Sequence, residues 1–191
     1  MGSPLAFGAV AFAAVLDACV LYPVGVRDLL LSVAEQEVFV PYWSKDILAE
    51  MSRNVVKDRK ATPELMEAIC AQMERAFPAA LIEGYEPLIP AMTNDPKDRH
   101  VLAAAVRAHV GLIVTDNVKD FPAAACTPYE VEIQRADEFL SNSLDHDPEA
   151  VMRAVRVMAR KRRNPPTTEK ELLTLLERAV PVFAVEAEHL L

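Results

Sequence analysis

Residues Asn94–Phe121, NDPKDRHVLAAAVRAHVGLIVTDNVKDF, decide the fold. Asp95–Pro96 predicts a helix opening, with proline at a favoured first position, and the helix runs to about His109, before Gly111. Leu112-Ile113-Val114 then reads as a short buried strand whose exit carries Thr115-Asp116. In an open α/β sheet, ligands collect where strands end at their carboxyl side. The stretch therefore sets Asp95, Asp98, Asp116 and Asp120 around one helix and one strand end.

Working outward, residues 12–17 form a second apolar strand, FAAVL, that ends in Asp17. A helix is predicted from about Gly25 to Glu35, a short strand at Val38–Val40 stopped by Pro41, and a helix from about Ser44 carrying Glu50 and Asn54 on its polar side. Thr62 caps a helix from Pro63 to about Phe77. Tyr85–Ile89 is a weaker strand prediction, and an edge strand is placed near Val131. After about Ala136 the pattern is helical only: Asp137–Leu144, Pro148–Arg163, a break at Asn164-Pro165-Pro166, and Glu169–Arg178. The predicted architecture is a three-layer α/β/α domain over 12–135 with a central, mainly parallel sheet, and a helical C-terminal extension over 136–191. Residues 1–11 read as a leader or an added remnant.

At 191 residues, with 52% hydrophobic and 25% charged, the composition is that of a globular protein with a sizeable core. Three widely spaced cysteines (Cys19, Cys70, Cys126) form no zinc-type pairs and no disulfide framework, which suits a reducing cytoplasm. The apolar start lacks a basic residue before Arg27, and Asp17 interrupts it, so neither a signal peptide nor a membrane span is expected. The net charge of −8 is unevenly spread. From Val151 on, 8 basic and 5 acidic residues leave +3, while the 12 basic and 23 acidic residues before it leave −11. An acidic body excludes the wrapping of duplex DNA on a basic face.

Each acid has a structural reading beside the functional one. Asp17 can open a turn, Glu50 can be a solvated helix residue, and Asp95 is accounted for by capping. Asp98 is explained less well that way and is favoured as a ligand; between Asp116 and Asp120, one points inward and the other closes the turn. His100 reads as a packed or hydrogen-bonding residue, Trp43 as a packing anchor, and Cys19 as core, since no base follows it closely. Arg153, Arg156, Arg160, Lys161, Arg162 and Arg163 form either a solvated helix face or a phosphate-contacting strip. Clustered carboxylates repel unless a proton or a cation sits among them, and Mg²⁺ or Mn²⁺ is the usual resident.

Four blocks in order carry a family resemblance: AVLD17ACVLYP, P41YWSKDILAE50MSR53N54, D95PKD98RHVLAAA and IVTD116NVKD120FP. Together, over about Phe12–Pro122, they resemble a PIN domain, and more closely the VapC-like ribonucleases that are toxins of toxin–antitoxin pairs. The helical tail is similar to an extension in one branch of such proteins. The resemblance implies a metal-dependent endoribonuclease that hydrolyses single-stranded or structured RNA with Mg²⁺ or Mn²⁺, acts as a homodimer and is restrained by a cognate antitoxin. Asp17, Glu50 and Asp98 match the acids that hold the cation, with Asp116 or Asp120 as the fourth. Arg53, Asn117 and Arg160 are candidate substrate contacts. Two other readings stand beside this one. A catalytically inactive RNA-binding or antitoxin-docking module would keep the scaffold without the chemistry. A small-molecule metal phosphohydrolase would want a second acid two residues after Asp17, where Cys19 stands.

Overall fold

The computed structural model describes residues 12–162 and 165–191. The proposed leader and Arg163 lie outside the described residues. Five strands, β1 (Phe12–Leu16), β2 (Phe39–Ser44), β3 (Leu81–Ile82), β4 (Leu112–Val114) and β5 (Glu132–Gln134), form one parallel sheet in the order β3-β2-β1-β4-β5. Ten α-helices accompany them among the described residues: α1 (Ala18–Leu21), α2 (Val24–Ala34), α3 (Lys45–Lys57), α4 (Pro63–Ala76), α5 (Arg99–Ala108), α6 (Ala123–Cys126), α7 (Ala136–His146), α8 (Pro148–Lys161), α9 (Glu169–Leu176) and α10 (Pro181–Glu188). The predicted α/β/α architecture with a parallel sheet and a helical tail is the one observed.

Central β1 is buried from Ala14 to Leu16, and it pairs with β2 on one side and β4 on the other. The chain moves outward from β1 to β3 and then returns to β4 across β1. The reversal of strand order therefore falls between β1 and β4, which is where an open sheet leaves a crevice at its carboxyl edge. On one face α5 packs against β1, β2 and β4 through Val101, Leu102 and Ala103–Ala105, whose small side chains let the helix lie close. The tail does not hang free. Phe139 of α7 stacks edge-on against Phe12 and Phe39 with ring centroids 5.7 and 4.8 Å apart, and α8 lies along α2. Phe139, Val151, Leu172 and Phe183 belong to the same core cluster as Val15 and Phe39.

Four local predictions are corrected. Helix α5 begins at Arg99, not at Asp95–Pro96: the Asp95 side chain accepts from Lys97 N at 3.0 Å and closes a turn, and Asp98 takes the N-cap position. Pro41 does not end its strand, since β2 runs through it. The N–H of Trp43 reaches toward β3 (to Ala80 O, 3.0 Å), so two residues earlier the missing N–H of proline faces the same edge. There β3, paired only at Trp43 and Ser44, offers no partner. Tyr85–Ile89 is not a strand; Glu86–Ala91 forms a 3₁₀ turn rich in proline, and Leu81–Ile82 is the strand instead. In the tail, α9 stops at Leu176 and a further helix, α10, follows from Pro181, its proline at the first turn.

Candidate active site

The end of β1 runs straight into α1, and Asp17 is the residue between them. Its Oδ1 accepts from Ala18 N at 2.6 Å, capping α1, while its backbone N–H donates to Val114 O of β4 at 3.1 Å. That ladder contact sets Asp17 beside Thr115, whose hydroxyl donates to Asp17 Oδ2 at 2.7 Å. The thiol of Cys19 also donates to Oδ2 at 3.2 Å. Asp17 is 1% exposed, and burial raises its carboxyl pKa while these donors lower it. Asp17 is thus both a cap and a buried carboxylate held in one orientation.

Asp98 approaches from the loop before α5. It occupies the cap position but makes no capping bond with its side chain, so the carboxylate is left for another role. Burial first, then the charges of Asp17, Asp120, Glu50 and Asp95, push its pKa up to about 6. Four acids from four segments therefore act on Asp98. Glu50, on α3, is drawn to His100 (Oε2–Nε2 3.5 Å), and that contact lowers its pKa, with help from Arg53 and Lys97.

The two acids after β4 part ways. Asp116 is exposed, its Oδ1 accepts from Ala136 N at 3.2 Å, and its carbonyl accepts from Arg135 at 3.1 Å, so it fastens the start of α7. Asn117 N bonds Thr115 Oγ1 at 3.1 Å, and Asn117 O accepts from Asp120 N at 2.8 Å. The chain so turned brings Asp120 back to the loop before α5, where its carbonyl accepts from Asp95 N. Asp120, and not Asp116, is among the charges that act most on Asp98.

The predicted substrate residues divide as well. Arg53 is exposed one turn after Glu50. Arg160 is exposed on α8, whose neighbouring cations are engaged by the segment just after α2: Lys161 with Glu35 at 3.4 Å and Arg153 with Gln36 at 3.3 Å. None of the α8 cations is among the groups that act most on Asp17, Glu50 or Asp98. Thr115 was not singled out in the sequence; its signal was a hydroxyl one register step from a strand-end aspartate. Cys19 is no nucleophile, since burial and the Asp17 charge push its thiol up to about 12.

Among the described residues, no three His, Cys, Asp or Glu side chains are set closely enough to hold a metal ion as they stand. Protein donors occupy Asp17, and His100 holds Glu50. By donor chemistry the site nevertheless fits a hard cation: it is all carboxylate oxygen, and the neighbouring acids help raise the pKa of Asp98, as acids do that share one site. Among the described residues, no helix is long and apolar enough to cross a membrane.

Comparison with known proteins matches residues 13–119 to the PIN domain and residues 136–188 to the VapC50 C-terminal domain. A Mycobacterium tuberculosis protein named "Putative ribonuclease VapC50" is 45% identical over 107 residues, 56% of this chain and 63% of that protein. The matched stretch thus spans less than two thirds of the relative's length. No solved structure gives a significant match.

Proposed function

The chain belongs to the PIN-domain family, and from that premise we propose that it is a divalent-metal-dependent endoribonuclease acting on single-stranded RNA, the toxin of a toxin–antitoxin pair. The observation that carries the reading is Asp98: a buried carboxyl at the strand-order reversal, pressed upon by Asp17, Asp120 and Glu50. Such an arrangement destabilises the protein unless a cation uses it. The likeness to the mycobacterial ribonuclease supports RNA as substrate, and an antitoxin partner and a homodimer belong to the same proposal.

In this reading Asp17 and Asp98, with Glu50 and Asp120, would hold Mg²⁺ or Mn²⁺. Bound there, the ion supplies charge to offset the phosphoryl oxygens and lowers the pKa of its water. The chain does the rest. Thr115 and Ala18 N hold Asp17 in one orientation, and their hydrogen bonds favour its ionised form against the burial that opposes it. Glu50, kept ionised by His100 at Oε2, would orient the attacking water. Arg53 steadies a neighbouring phosphate. Asp116 serves α7 instead of the ion.

The test is direct. Labelled single-stranded RNA is incubated with antitoxin-free protein and Mg²⁺ or Mn²⁺, with EDTA and Asp98→Asn as controls. Cleavage that needs the metal and vanishes in the variant is the expected result. RNA left whole under every metal condition overturns the reading.

A further inference from the structure

Beside Asp17, on the far side of Cys19, lies a cleft of about 330 Å³ lined by Cys19, Tyr22, Asn54, Lys57 and Asp58. Cys19 Sγ stands 3.2 Å from Asp17 Oδ2, so the cleft and the acid site share a wall. On α3, Glu50, Arg53, Asn54 and Lys57 fall at spacings of three, four and seven residues, which place them along one side of the helix. The stripe starts at the acid that faces His100 and ends in the cleft. At 1.5 Å per residue, Lys57 lies about 10 Å beyond Glu50 along the axis.

The charges inside the cleft are not equivalent. The hydroxyl of Tyr22 donates to Asp58 and accepts from Lys60 at 2.5 Å, and the Lys60 ammonium sits 4.0 Å from the Tyr22 ring centre. Asp58 and Lys60 thus offset each other around a fixed phenol. Among the described residues, Lys57 and Arg53 form no ion pair, and the Asn54 amide makes no hydrogen bond. Two uncommitted cations and an uncommitted amide donor on an acidic protein, in line with a carboxylate site, suit a polyanion whose next phosphates continue past the cut. A protein neutralises such phosphates one by one, with a salt dependence that counts them.

We infer that the Tyr22–Asn54–Lys57 cleft is an RNA-backbone subsite, which takes the phosphate of a nucleotide flanking the scissile bond and gives the strand one direction across α3. Lys57 supplies the charge, Asn54 a directional hydrogen bond, and the clamped Tyr22 a rigid wall. The inference rests on the nuclease reading for its substrate, but its test does not need turnover.

RNA binding is measured by fluorescence anisotropy in the cleavage-deficient Asp98→Asn protein at several salt concentrations. Adding Lys57→Gln is expected to weaken binding about fivefold or more at low salt and to lower the slope of log affinity against log salt by about 0.7. Lys170→Gln on α9, an exposed lysine paired with Glu188, is the control and is expected to change neither. In the active protein, Lys57→Gln raises KM for longer RNA with kcat kept, and leaves a dinucleotide substrate unaffected. Unchanged affinity and slope overturn the subsite, as does an equal loss in Lys170→Gln. Wild-type protein that binds RNA but never cuts it sinks the nuclease reading alone, and absence of binding sinks both.

Discussion

At the scale of single residues, the site is governed by carboxylates that must be fixed before they can be useful. Asp98 has a folded pKa of about 6 against an ordinary value of 3.8, so the folded chain holds this proton more tightly than the unfolded one. The resulting penalty is absent below the ordinary value and complete above about 6. Without divalent ions, thermal stability is therefore expected to fall as pH rises from 4 toward 6, by more in wild type than in Asp98→Asn; melting curves of the two proteins across that range check it. In the proposed reading the same proton competes with the cation, so apparent Mn²⁺ affinity, measured by calorimetry, should rise over that window. Thr115→Val is a different case. It leaves Asp17 Oδ2 without its hydroxyl donor in a fully buried place, and about 1–3 kcal/mol of unfolding free energy should be lost in urea titrations, while Thr115→Ser keeps most of it.

Secondary-structure elements decide which acid does which work. Because β4 ends at Val114 and α7 begins at Ala136, Asp116 can reach the free N–H of Ala136, a capping role it plays from another part of the chain. Asp116→Ala should thus lower stability by about 1 kcal/mol and reduce cleavage only a few fold. Asp120→Asn should leave the melting temperature near wild type and cut the cleavage rate by about 100-fold or more. The opposite pattern would return the fourth-acid role to Asp116. Some elements were legible in the sequence because their signals are local. Apolar runs stopped by an acid marked β1 and β4, and Thr62-Pro63 marked the start of α4. Others were not. Asp95–Pro96 looks like a helix start, yet Asp95 spends its side chain on a turn, and Asp98 is freed by that choice. Pro41 looks like a strand end, yet the neighbouring β3 is too short to notice the missing N–H.

For the whole molecule, the α7–α10 helices and the sheet share one apolar interior. Phe139 is fully buried between Phe12 and Phe39, and Phe139→Ala should cost about 3–5 kcal/mol and shift a single cooperative unfolding transition. A chain cut before Ala136 should then bare the sheet face and fail to stay soluble and folded, as read by circular dichroism and size-exclusion chromatography. The basic C-terminal run, conspicuous in the sequence, is partly spent inside the molecule: Lys161 and Arg153 reach back to Glu35 and Gln36 of the segment after α2. The cations left beside the acids are on α3: Arg53, which the sequence marked as a candidate substrate contact, and Lys57, which it did not.

What the sequence determined by itself was the order of elements and the presence of an acid at each informative strand end, because hydrophobic period and capping act over a few neighbouring residues. Tertiary structure alone decided which carboxylates face one another, which hydroxyl holds Asp17, and where free positive charge remains. Those outcomes depend on contacts such as Thr115 to Asp17, 98 residues apart, whose geometry follows from strand register and helix packing and leaves no trace in local spacing.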